Sequence, residues 1–199
     1  TTSDFTLTKS VPEAYAFFGR DLTMGDVNGD GFSDVIVGTP YADTINFDEG
    51  EVHVFYGNST FDSTVDVIVQ NLDDPNGLFG FSVETGDLNN DSYDGLIVGA
   101  FSVNAGAINS GDVRIFYGSS AGLGLTADAI LVNTPPEENA RFGRWVSSGD
   151  VNGDGYEDVT VGVPFADTGA VDNGQVQIFF GGPGVIDTVA DTILIRNPP

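Results

Sequence analysis

Asp26, Asn28, Asp30 and Asp34 stand at positions one, three, five and nine of a short stretch, with Gly31 at position six. The pattern returns at Asp150, Asn152, Asp154 and Asp158, with Gly155 at six. A looser copy, Asp87, Asn89 and Asp91, lies between them. Phe32, Tyr93 and Tyr156 fill position seven, where only the backbone carbonyl can serve as a ligand. Alternating oxygen-bearing side chains, closed by a sharp turn at glycine, wrap a hard cation. Ca²⁺ takes six to eight oxygens at roughly 2.3–2.6 Å, whereas Mg²⁺ demands a stricter octahedron and keeps more of its water. Carboxylates this close repel one another, and a divalent cation reverses that sign.

Asp, Asn and Gly are also ordinary turn residues. Three copies in register exceed what turn chemistry alone asks for. The middle copy departs from the others, with Ser92 at position six and Gly95 at position nine. Asp94 can supply the missing carboxylate only if that loop shifts. A helical Ca²⁺ hand is ruled out, because it closes with a bidentate Glu at position twelve and these loops have Val37, Val98 and Val161 there.

The elements that position the loops follow from periodicity. Val35-Ile36-Val37-Gly38 is a short apolar run closed by Thr39-Pro40, which predicts a strand with a stop signal. The whole arrangement repeats about every 62 residues. Phe18-Gly19 recurs as Phe79-Gly80 and Phe142-Gly143, each six residues ahead of a loop-opening Gly-Asp. Gly38, Gly99 and Gly162 are each followed twelve residues later by another glycine: Gly50, Gly111 and Gly174. Alternating strands start there, at Glu51, Asp112 and Gln175. The alternation predicts one buried face and one face toward water or a polar neighbour. Outer strands follow at 65–69, 129–132 and 192–195, and a lone copy sits at 5–9. Each unit therefore reads as four antiparallel strands, which is a β-propeller blade. The fold class is all-β, one partial propeller over 1–199 with repeats at about 18–70, 79–132 and 142–196.

The Phe-Gly pairs, the Asp-x-Asn-x-Asp-Gly-x-x-Asp loops and the Gly-x-Pro stops at 38–40 and 162–164 resemble the FG-GAP repeat. That repeat builds the integrin α-subunit propeller and related bacterial secreted proteins. The resemblance covers nearly the whole chain. It implies Ca²⁺ on one rim, at Asp26, Asn28, Asp30, Phe32 and Asp34 and at Asp150, Asn152, Asp154, Tyr156 and Asp158. It extends to Asp87, Asn89, Asp91 and Tyr93 in the middle repeat, whose stop is Gly99-Ala100-Phe101. It also implies an extracellular or cell-surface protein in adhesion, with a protein or glycan ligand on the rim opposite the loops. Rings in this family usually have seven blades. Three leave open edges, so the remaining blades belong to a longer chain or a homodimer supplies them.

Composition sets further bounds. The net charge of −24, with only 6 Lys+Arg, argues against nucleic acid and anionic membranes as partners. The absence of Cys leaves metal as the available staple. Thr1-Thr2-Ser3-Asp4 lacks the basic and apolar regions of a secretory leader, so a leader was removed or the segment is internal. No apolar run has the length of a membrane-spanning helix, so membrane insertion is not expected.

Catalysis is not expected. With a single His and no Cys, no nucleophile–base pair can be assembled around cysteine and only one around His53. His53 aligns with Arg114 and Gln177, and a solvated strand face accounts for all three. The carboxylates that recur in register already have the cation role. Arg20 and Arg144 align, and each is expected to pair with a nearby carboxylate. Trp145 is expected to pack or to line a channel. The rim opposite the loops gathers Tyr41, Asp43, Phe101, Asn104, Phe165 and Asp167 with the segments 71–78 and 133–141. Packing against the next blade and contact with a partner both fit Tyr41 and Phe165. Two alternatives stand beside an adhesion role: an accessory module of a larger secreted enzyme, and a carbohydrate-binding propeller.

Overall fold

The computed structural model describes residues 5–71 and 74–195. Twelve strands form three four-stranded antiparallel sheets, each in simple meander order. Blade one comprises β1 (Leu22–Gly25), β2 (Asp34–Thr39), β3 (Glu51–Phe55) and β4 (Val67–Gln70). Blade two comprises β5 (Ser82–Gly86), β6 (Gly95–Ala100), β7 (Asp112–Phe116) and β8 (Ala129–Val132). Blade three comprises β9 (Val146–Gly149), β10 (Asp158–Val163), β11 (Gln175–Phe179) and β12 (Thr192–Ile195). The inner strands β1, β5 and β9 touch in succession, as blades around an axis must. No helix among the described residues is long and apolar enough to cross a membrane.

The core lies between blades. Val52, Val54 and Val69 of blade one meet Phe79, Leu96 and Val98 of blade two. Ile97, Ile115 and Leu131 of blade two meet Phe142, Val159 and Val161 of blade three. Successive residues of β6 thus serve opposite interfaces, and the strand is buried along its whole length. A continuous apolar run is what a strand covered on both faces requires.

The Phe-Gly repeat has a steric explanation. The backbone of Phe79-Gly80 lies directly on Gly38 and Gly50 of blade one, and Phe142-Gly143 lies likewise on Gly99 and Gly111 of blade two. A Cβ at any of these four glycines would run into the carbonyl of the arriving turn. The docked turn is held by Phe79 N–H donating to Glu49 O at 3.1 Å, and by Phe142 N–H donating to Ser110 O at 2.8 Å. Each Phe ring meanwhile stacks edge-on within its own blade, Phe79 on Phe116 and Phe142 on Phe179.

Two sequence expectations are corrected. The outer strand expected at 5–9 is not formed; Phe5 packs edge-on against Phe61 and Lys9 reaches Glu51 at 2.9 Å. His53 is not on a solvated face: it is fully buried, and Gln177 is nearly so. The N-terminal segment covers that face, and Phe18 stacks on the His53 ring at 5.3 Å. His53 Nε2 lies 3.0 Å from Glu51 Oε2, in a polar cluster with Lys9, Thr44 and Gln70. Burial pushes the Glu51 carboxyl up, but hydrogen bonds from His53, Thr44, Lys9 and Gln70 outweigh it and hold the group well below the usual carboxylate range. In blade three the corresponding polar seam is Gln175 and Gln177 donating to Asn133 at 3.0 and 2.7 Å.

Candidate metal loops and the opposite rim

Strand register places the three loops identically. Gly25 pairs with Asp34, Gly86 with Gly95 and Gly149 with Asp158, so each loop is the hairpin between the first two strands of its blade. Within the first loop Asp26 Oδ1 accepts from Gly29 N–H and Asp30 N–H at 2.7 and 3.1 Å, and Oδ2 accepts from Gly31 N–H at 2.8 Å. Asn28 Oδ1 accepts from Asp30 N–H, and Asp30 Oδ1 accepts from Phe32 N–H, both at 2.9 Å. Asp150, Asn152, Asp154 and Tyr156 repeat every one of these bonds. The Gly155, Gly153 and Asp154 N–H groups hold the Asp150 carboxyl below its ordinary value.

The middle loop folds the same way in spite of its substitutions. Asp87 accepts from Asp91 N–H and Ser92 N–H at 3.0 and 2.9 Å, Asn89 from Asp91 N–H at 3.3 Å, and Asp91 from Tyr93 N–H at 3.0 Å. Asn90 and Ser92 adopt positive φ of 56° and 72°, where the outer loops use glycine. That conformation is uncommon for residues with a Cβ, so local hydrogen bonding imposes the turn.

Position nine separates the loops. Asp34 is fully buried on β2, with Oδ2 accepting from Val27 N–H at 2.9 Å and Oδ1 from Gly57 N–H at 2.8 Å. Asp158 does the same with Val151 and Gly181, both at 2.9 Å. Burial pushes the Asp34 carboxyl up to about 6, against the Gly57 and Val27 N–H groups and with the help of the Asp30 and Asp26 charges. Gly95 offers no such anchor, and a Cβ there would approach Phe116 O at 3.2 Å. Asp94 does not shift into the vacant role. Its carboxylate accepts from Asp26 N–H at 2.8 Å, in the loop of the preceding blade.

Position eight is the feature that sequence reasoning missed. Asp94 N–H donates to Asp26 O at 3.0 Å, and Glu157 N–H donates to Asp87 O at 3.2 Å. The loops are thereby chained along the rim. The residue types at this position, Ser33, Asp94 and Glu157, differ, and the backbone bonds leave no trace in side-chain identity.

Among the described residues, no three acidic or imidazole side chains converge as a ready-made metal cluster, because the loop carboxylates turn toward their own N–H groups. The donor chemistry nevertheless fits a hard divalent cation. Each outer loop offers three carboxylates, an amide oxygen and a main-chain carbonyl within nine residues.

The other rim holds the β2–β3 and blade-to-blade connections, joined by Asn76 N–H to Phe47 O and Asn139 N–H to Ile108 O, both at 2.8 Å. Three of its carboxylates are used locally: Glu13, Asp74 and Glu137 accept from the N–H groups of Asp43, Asn104 and Asp167 at 2.8, 2.7 and 2.7 Å. Residues 72 and 73 of the segment 71–78 lie outside the described residues. Among the described residues Arg20 and Arg144 do not form the expected ion pairs. Their guanidiniums instead lie 4.0 and 5.9 Å from the Phe81 ring centroid. Tyr41 packs on Phe17 at 5.2 Å, and Phe165 lies under Arg141 at 4.9 Å. Trp145 is half exposed, with Arg144 at 4.9 Å.

Blades of this topology, each carrying an acidic hairpin loop on one rim, define a propeller-repeat protein. The FG-GAP repeat model matches residues 18–55 and 142–179. The chain carries FG-GAP repeats. It is 33% identical to mouse phosphatidylinositol-glycan-specific phospholipase D over 184 residues, covering 88% of this chain and 22% of that protein. It is 30% identical to integrin alpha-5 of Xenopus laevis over 185 residues, covering 90% of this chain and 16% of that protein. Against mouse integrin alpha-8 the identity is 32% over 188 residues, or 88% of this chain and 16% of that protein. The chain thus spans between 16% and 22% of the length of these relatives.

Proposed function

We propose that this chain is a Ca²⁺-stabilised, non-catalytic propeller segment of an extracellular or cell-surface protein, acting in adhesion or ligand binding. The observation that carries the reading is the repeated loop. The same Asp-Asn-Asp hydrogen-bonded turn sits at the same hairpin in three blades, with a buried Asp at its base in blades one and three. Similarity to integrin α subunits supports the adhesion role.

A bound Ca²⁺ supplies positive charge that neutralises the loop carboxylates and cross-links them. The chain's own residues do the rest. Asp26, Asn28, Asp30 and Asp34, and their counterparts Asp150, Asn152, Asp154 and Asp158, bring oxygens to the loop, with Phe32 and Tyr156 contributing carbonyls. In the middle blade Asp87, Asn89, Asp91 and Tyr93 are present without a carboxylate at position nine, so that loop binds more weakly. Asp34 and Asp158 pin the hairpin base to the connection after the third strand. The rim opposite is then free to meet a ligand.

The test is a thermal melt in Ca²⁺ and in chelator. Binding to the native state alone stabilises by about 2.7 kcal/mol per site at a hundredfold excess over Kd. A melting temperature that rises with Ca²⁺ supports the reading, and identical melts in Ca²⁺ and chelator overturn it.

A second reading is favoured by the similarity to phosphatidylinositol-glycan-specific phospholipase D. Here the segment is an accessory module of a larger secreted enzyme, with the reaction carried by other parts of the protein. The buried His53 and the absence of Cys leave this segment poorly equipped for a reaction of its own.

A further inference from the structure

Three of the chain's six basic residues, Arg20, Arg141 and Arg144, gather around one pair of aromatic rings on the rim opposite the loops. Phe81 and Phe101 pack edge-to-face at 4.5 Å. Arg20 lies 4.0 Å over Phe81, Arg144 lies 5.3 Å over Phe101, and Arg141 lies 5.6 Å over Phe101. In a chain of net charge −24 these guanidiniums would be expected to find carboxylates. Among the described residues none of the three has an acidic partner. Three acids of the same rim, Glu13, Asp74 and Glu137, are instead bonded to backbone N–H groups of its loops. Arg144 Nε is buried with no hydrogen-bond partner.

Stacking on an aromatic face holds a guanidinium in place while leaving its N–H fork unused. The cluster also spans two blade boundaries, from Arg20 in blade one to Arg144 in blade three. It is flanked by exposed apolar side chains, with Trp145 at 54% and Phe17 at 57% exposure. Arg and aromatic residues together are the composition of protein-binding hot spots. A long polyanion would have to run over the acidic surface around the patch, whereas a short acidic segment meets only the guanidiniums.

We propose that this Arg–aromatic patch docks an acidic segment of a protein partner, with carboxylates taken by Arg20, Arg141 and Arg144. The proposal rests on the ligand-binding reading of this rim and names the chemistry of the ligand. Carboxylates bind end-on to the terminal Nη groups, and apolar residues of the partner cover Trp145 and Phe17.

The test uses the intact chain in saturating Ca²⁺ and a labelled, blocked Glu-Gly-Glu-Gly-Glu peptide. Trp145, the only tryptophan, reports occupancy through its emission, and peptide anisotropy reports it independently. Saturable binding is expected, weakened on the order of tenfold by Arg20→Gln or Arg144→Gln, and a Gln-Gly-Gln-Gly-Gln peptide should not bind. Unchanged affinity in both variants, no saturation, or tighter binding of a heparin fragment overturns the proposal. The Ca²⁺-dependent melt of each variant is recorded alongside. Loss of peptide binding with an intact Ca²⁺ shift assigns the defect to the patch and leaves the loop reading standing.

Discussion

Asp26 and Asp94 exchange two hydrogen bonds across a blade boundary: Asp26 N–H to the Asp94 carboxylate at 2.8 Å, and Asp94 N–H to Asp26 O at 3.0 Å. One residue is the first position of a candidate cation loop and the other is the eighth position of the next. The loops are therefore coupled side by side as well as folded one by one.

Replacing Asp94 with Ala leaves the Asp26 N–H without its acceptor. The expected loss is about 1 kcal/mol, the net worth of a part-buried hydrogen bond. Asp94→Asn keeps an acceptor oxygen and should recover most of it. Urea melts of both variants, run in Ca²⁺ and in chelator, check this; the Ala defect should persist in chelator because the bond is between protein groups.

Asp30→Ala and Asp154→Ala should behave oppositely. Each removes a loop carboxylate that bonds only within its own loop, Asp30 to the Phe32 N–H and Asp154 to the Tyr156 N–H and the Asn152 side-chain amide. Melting temperature should fall in Ca²⁺ and change little in chelator. Equal losses in the two conditions would assign these residues to turn geometry alone.

The glycine sockets offer a steric test. Gly99→Ala drives a Cβ into Gly143 O, whereas Gly162→Ala meets nothing closer than Trp145 O at 3.6 Å. Overpacking costs about 1–3 kcal/mol, occasionally more. Gly99→Ala and Gly38→Ala should be destabilised by at least that amount and Gly162→Ala should lie near wild type, as measured by chemical denaturation of the 199-residue chain.

Asp112 sets a pH dependence. Burial raises its carboxyl from 3.8 to about 6, against the pull of Arg114 at 3.2 Å. The folded state then holds this proton more tightly than the unfolded chain, so ionisation costs stability. The contribution grows more favourable as pH falls from about 7 toward 4, with an upper bound of about 3 kcal/mol. Asp112→Asn mimics the protonated form. Its stability relative to wild type should be highest near pH 7 and should decline by pH 5; a difference that is flat with pH would refute the shift.

The loops, the strand that follows each and the four-strand period were legible because they are local. Asp-x-Asn-x-Asp bonds to N–H groups two to five residues away, and the β alternation repeats every second residue. The Phe-Gly and Gly pairs were visible as a pattern, while their reason, a turn seated on two glycines of the preceding blade, needed the blades side by side. Asp94 looked like a displaced ligand and is a tie to another loop. His53 looked solvated and is covered by a segment that precedes it by tens of residues. Arg20 looked like half of an ion pair and lies on Phe81. Sequence by itself determined what each residue does with its near neighbours. Tertiary structure decided what meets across the roughly 62-residue period, because which side chain faces which depends on the stacking of whole blades.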